Sequence, residues 1–166
     1  GVWFLQDENV ACQGGGGGNG NAFTGHHVDG DILLVAAFLS GGGSPQISAY
    51  KWVGGANGAL NPTAIASGTS CVAASTICAI TNSGNVTTPW QTVNGKIQGT
   101  TLGADQFYEG GVDLTANNLD RNSAGEPICV NKFVFNTRSS QSLTASLYDY
   151  AEGSVSTCGT PSISTE

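Results

Sequence analysis

The sequence predicts an all-β fold: a β-sandwich or jelly roll of about 8–10 mostly antiparallel strands joined by long glycine-rich loops. Three observations carry this. Short apolar or alternating runs recur along the chain, few segments show helical periodicity, and clusters of Gly, Asn, Ser and Pro separate the runs.

"VWFLQ" (2–6) is a first strand. "DILLVAAFL" (31–39) is apolar on both faces, as a central strand must be, and "GGGSP" (41–45) turns the chain into "QISAYKWV" (46–53). In that return strand Ile47, Ala49 and Val53 lie on one face, with Tyr50 and Trp52 on the other. Shorter extended pieces follow at 62–67, 76–81 and 94–101. "QFYEGGVDL" (106–114) is a strand whose Gly110–Gly111 marks a bulge or a close backbone approach. "LTANNLD" (114–120) forms a helical turn before "RNSAGEP" breaks it. "ICVNKFVFNTR" (128–138) and "SLTASLYDY" (142–150) both alternate and are joined through a tight polar turn. Residues 1–153 are read as the sandwich domain, a piece lacking upstream strands, and 154–166 as a linker-like tail. The opening "GVWFLQDENV" carries no basic leader and reads as the start of a mature or truncated product.

The 166 residues suffice for one packed core. Charged residues are 10% of the chain, against about 25% in an average soluble protein. Five Lys+Arg against twelve Asp+Glu leave a net charge of −7, so the basic stripe of a nucleic-acid binder is missing. Anionic membrane surfaces are disfavoured for the same reason, and the apolar run 32–39 is far below the roughly 20 residues that span a bilayer.

The five cysteines avoid CxxC spacing. Cys71 and Cys78 bracket the small-residue loop "CVAASTIC" and form the first expected disulfide. Cys129 pairs with Cys12 or Cys158, which leaves one thiol over, either for a partner outside the chain or buried and free. Scarce lysine, absent methionine and bridge-spaced cysteines point to an exported, extracellular protein.

The tract "GGGGGNGNAFTGHHVDGD" (14–31) invites a ligand reading. No Lys-Ser/Thr follows the glycines, so it is no phosphate loop, and Ala22 stands where a calcium nonapeptide repeat needs Asp; a loop is the simpler reading. His27, Asp29 and Asp31 share one side of an extended segment and are the candidate metal ligands, with calcium the ion their oxygens suit. Turn chemistry at Asp29–Gly30–Asp31, with solvated His26 and His27, is the stronger competing reading, and no cofactor is expected.

The carboxylates Glu109, Asp113, Asp149 and Glu152 are the remaining acid–base candidates. Glu109 and Asp113 would stand about 13 Å apart along a strand, at about 3.3 Å per residue, beyond glycosidase pairings. No serine sits in a nucleophile elbow, so no catalytic residues are assigned. Tyr50 and Trp52 are the candidate ligand-binding pair, an aromatic platform for glycans if their strand face is exposed. Lys132 is the one candidate for an isopeptide cross-link, with a surface lysine as the alternative, and "NVT" (85–87) is a glycosylation sequon by pattern.

"GVWFLQ" (1–6), "DGDILLVAAFLSGGG" (29–43), "ISAYKWVG" (47–54), "FYEGGVDLT" (107–115) and "TRSSQSLTASLYDY" (137–150) together resemble an uncharacterised domain of large secreted and cell-surface bacterial proteins. That domain usually lies ahead of collagen-binding or pilin-type β-sandwich repeats. Cys12, the long glycine tract and the early start depart from the pattern, and no functional residue is carried over. The resemblance implies a surface location and a non-enzymatic structural or adhesive role. The expected partners are other copies, joined by strand exchange into filaments, or neighbouring β-sandwich domains; the alternative is a carbohydrate-binding module with glycans as ligands. Neither nucleic acid nor membrane insertion is expected.

Overall fold

The computed structural model describes residues 1–11, 23–37, 45–68, 71–93 and 98–158. Among these the fold is all-β, without a helix, and its strands pair antiparallel. One seven-stranded sheet dominates, in the order β11-β10-β1-β2-β3-β4, with β5 also paired to β3. Its strands are β1 (Val2–Leu5), β2 (Ile32–Ala37), β3 (Gln46–Val53), β4 (Ala59–Leu60), β5 (Ala66–Gly68), β10 (Lys132–Arg138) and β11 (Leu147–Ser154). Two ribbons complete the fold: β6 (Ile77–Thr81) with β9 (Tyr108–Val112), and β7 (Val86–Val93) with β8 (Gln98–Leu102).

The register sorts side chains onto two faces, because neighbours along a strand point to opposite sides. Val2 lies opposite Leu34 and Phe135, and Ile32 opposite Lys51, which places Ile32, Leu34, Ile47 and Ala49 on one face. There they pack against Ile77 and Ala79 of β6, with Leu119 closing the layer, and this is the main core. Trp3, Leu5, Leu33 and Val134 point to the other face, which a second, smaller cluster of Leu5, Val10 and Val134 covers with Trp3, Phe23 and Tyr150. Every β2 residue but Ala36 is buried, which explains its unbroken apolar run.

Several expected boundaries move. Of the expected 62–67 segment only the end is strand, as β5, with β4 ahead of it, and β7 arises where no strand was expected. Residues 114–118 form turns closed by a Leu119 N–H bond to the Leu114 carbonyl at 2.7 Å. Gly110–Gly111 makes no bulge, since β6 and β9 pair without a shift; the close approach is real, with the Cys78 carbonyl 3.1 Å from where a Gly110 Cβ would stand.

β11 begins at Leu147, not at 142, because the Arg138 guanidinium donates to the Ser142 and Leu143 carbonyls and bends that stretch. It then runs through Ser154, and Val155 and Thr157 donate to the carbonyls of Asn131 and Val130. Residues 154–158 are therefore tied to the sheet rather than forming the start of a tail. Disulfides join Cys71 to Cys78 and Cys129 to Cys158, so Cys158 is the partner of Cys129. Cys12, the glycine tract, and residues 38–44 and 159–166 lie outside the described residues.

Candidate functional site

The second face of the large sheet carries the candidate site. Residues 23–31 cross this face before entering β2, and Asp31 is the last residue before the apolar run. At that position its side chain is fully buried, 0% exposed, so its carboxylate needs donors from the protein. It finds them in the Gln6 backbone N–H (3.0 Å) and Gln6 Nε2 (3.2 Å) on Oδ1, and in the Val28 N–H (3.0 Å) on Oδ2. His27 Nδ1 stands 3.1 Å from the same Oδ2. A carboxylate oxygen can only accept, so His27 Nδ1–H donates to Asp31.

Two indoles hold the His27 ring. Trp3 of β1 lies 4.4 Å from it, tilted by 40°, and Trp52 of β3 stacks on it at 4.2 Å and 26°. β2 runs between these two strands, and His27 fills the space over it. Beside this stack a cavity of about 260 Å³ opens between Trp3, Phe23, His27, Val134 and Asn136.

His26 is held separately, with Nδ1 3.1 Å from Asp7 Oδ2, and its backbone N–H donates to the same oxygen. Hydrogen bonds from Asn9 and then His26, against the opposing cost of burial, keep the Asp7 carboxyl below its usual pKa.

The three expected metal ligands do not converge. His27 and Asp31 pair, but Asp29 faces another loop: Oδ1 accepts from Ser123 Oγ (2.7 Å) and Gly54 N–H (2.9 Å), and Oδ2 from Ser123 N–H (2.8 Å). Among the described residues no group of three His, Cys, Asp or Glu is placed to hold a metal ion. Asp29–Gly30 forms the turn itself, with Gly30 at φ +96° and the Asp31 N–H bonded to the Val28 carbonyl at 3.0 Å. Burial pushes the Asp29 pKa up, but the Ser123 and Gly54 hydrogen bonds and the charge of Lys51 outweigh it and hold the carboxyl below its usual value.

The aromatic pair also differs from an open platform. Tyr50 and Trp52 share the expected face and both are half-buried, yet His27 covers one side of Trp52, whose Nε1 donates to the Gly55 carbonyl. Lys132, the first residue of β10, pairs in register with Leu5 and Ser154. The lysine with a structural task is Lys51, whose Nζ donates to the Asn118 and Arg121 carbonyls at 2.6 and 2.7 Å. Burial pulls its pKa down, partly offset by Asp29 and Asp120.

Glu109 sits on β9, with Asp113 just beyond it capping Ala116 N–H, and Asp149 and Glu152 lie on β11 in the other sheet. Asn85 of the sequon is exposed ahead of β7. The residues that sequence reasoning passed over are Gln6, Asn136 and Ser123. No local pattern marked any of the three.

No family of known proteins, no curated protein and no solved structure matches this chain. The fold and site define an all-β, sandwich-like protein with two disulfides among its described residues, and no helix among those residues is long and apolar enough to cross a membrane.

Proposed function

We propose that this chain is a non-enzymatic structural or adhesive domain of a bacterial surface or matrix protein, working outside the cell. Its partners are neighbouring copies or β-sandwich domains that add a strand to the β11 edge. The observation that carries this reading is β11 itself. It is eight residues long, closes one end of the large sheet, and pairs only with β10 among the described strands. Alternation along the ladder turns the N–H and C=O of Tyr150 and Ser154 outward, and Leu147 and Tyr148 are 40% and 68% exposed.

A long edge with exposed apolar side chains is a template for another strand, and proteins that avoid association blunt it. The opposite edge of the sheet is blunted in that way, broken into the two-residue β4 and three-residue β5. Asp149 and Glu152 on β11 disfavour pairing of this edge with its own copy, since like charges would oppose each other. A contact between unlike surfaces is favoured instead, and repeated contacts of that kind build open filaments. The two disulfides suit an oxidising compartment.

Light scattering over rising concentration tests the proposal. The wild-type chain is expected to gain mass with concentration, while Tyr148→Lys, which puts a gatekeeping charge on the edge, stays monomeric under the same conditions. A wild-type chain that remains monomeric at the highest concentration overturns the reading.

A further inference from the structure

We infer that the cavity beside His27 is a binding site for a neutral pyranose. Its volume, about 260 Å³, is below that of drug-sized pockets and suits a single six-membered ring. Its walls include Trp3, Phe23, Val134 and Leu147, together with His27 and Asn136.

Asn136 gives the site its chemistry. The residue is only 7% exposed, and register puts its side chain on the same sheet face as Val134 and Trp3. Among the described residues, neither its Oδ1 nor its Nδ2 has a hydrogen-bond partner. A buried amide without partners costs free energy that folding does not recover, and a ligand that satisfies it recovers that cost on binding. The amide presents an acceptor and a donor side by side. Its complement is a pair of neighbouring hydroxyls, one donating to Oδ1 and the other accepting from Nδ2–H. Vicinal hydroxyls on a ring whose C–H faces are apolar describe a pyranose, and the Trp3 and Phe23 rings offer surfaces for those faces.

Charge narrows the class. Among the described residues, no ionisable side chain other than the two histidines lines the cavity, and the chain carries a net charge of −7. An anionic sugar meets no Lys or Arg there, and a cation meets no carboxylate. The inference needs nothing of the β11 edge, so a monomeric chain leaves it intact.

The test is an amide-resolved NMR titration of the full chain with neutral hexopyranoses, their deoxy analogues lacking one of two vicinal hydroxyls, and cyclohexanol. Saturable shifts at Trp3, Phe23, Val134 and Asn136 are expected with a hexopyranose, at least tenfold weaker with the deoxy analogue and with cyclohexanol. Asn136→Leu separates binding from folding. It is expected to weaken binding at least tenfold while leaving the unfolding temperature unchanged or raised, because it removes an unsatisfied polar group; a structural role for the amide predicts a lower one. The inference is overturned if no hexopyranose gives saturable shifts at these residues, if cyclohexanol binds as well, or if Asn136→Leu retains full affinity. Should that variant fail to fold, the deoxy series on the wild-type chain decides alone.

Discussion

The imidazole of His27 stacks on the indole of Trp52, ring centroids 4.2 Å apart and planes 26° from parallel, while its Nδ1 reaches the fully buried Asp31. The stack and the hydrogen bond fix the ring in two directions at once. They also bind the crossing segment 23–31 to β1, β2 and β3.

Removing the carboxylate should therefore cost more than removing the ring. Asp31→Ala strands the N–H groups of Gln6 and Val28 in a buried site, a loss of about 3 kcal/mol. His27→Ala gives up two aromatic contacts but leaves Asp31 its other donors, a loss of about 2 kcal/mol. Urea denaturation of both variants checks the order, and a larger loss for His27→Ala would mean that the ring, not the carboxylate, holds this face.

Gly68 is required where β5 meets β6. A Cβ there would run into the backbone carbonyl of Ile77, an obstacle that cannot rotate away. Gly68→Ala should cost about 2 kcal/mol through overpacking. Gly111, where an added Cβ meets nothing, is the control, and Gly111→Ala should leave the denaturation midpoint near the wild-type value.

The two disulfides should differ in weight. Cys129 and Cys158 close a loop of separation 29, and Cys71 and Cys78 one of separation 7. Chain-entropy arguments give about 3.5 kcal/mol for the longer loop and about 2.5 kcal/mol for the shorter. Cys158→Ser should also release the 155–157 backbone from Val130 and Asn131, visible as faster amide exchange at Val155 and Thr157. Unchanged exchange there would show that the hydrogen bonds hold the segment without the bridge.

Much of the fold was legible because its central strands are periodic or continuously apolar. β2 is buried along nearly all its length, and β3 and β10 alternate. β7 was not legible: "VTTPWQTV" contains Pro89, its apolar residues do not alternate, and Trp90 is 55% exposed, so no core-facing stripe exists to read. The start of β11 was misplaced because Leu143, Ala145 and Leu147 alternate like a strand, while the Arg138 guanidinium draws two carbonyls out of line. At the site, His27 and Asp31 were visible, together with Asp29, as residues on one side of an extended segment. Their setting was not, since Trp3 and Trp52 meet His27 only through the β1–β2–β3 order. The partner of Asp29, Ser123, lies 94 residues away, and no local pattern reports such a contact.

That distant contact sets an acid limit on stability. Burial works against the ionised Asp29, but the Ser123 and Gly54 donors and nearby Lys51 prevail, so its folded pKa lies below the ordinary 3.8. The unfolded chain therefore takes up a proton at a higher pH than the folded chain does. The contribution of Asp29 is complete above pH 3.8 and disappears as the pH falls through the lower folded value. Asp7, held low by Asn9 and His26, adds to the same limb. Urea midpoints measured from neutral to strongly acidic pH should hold steady and then fall below about pH 4. Asp29→Asn should start lower at neutral pH, having lost charge-assisted bonds to Ser123, and then decline less steeply. A variant that keeps the full wild-type slope would show that Asp29 does not set the acid limb.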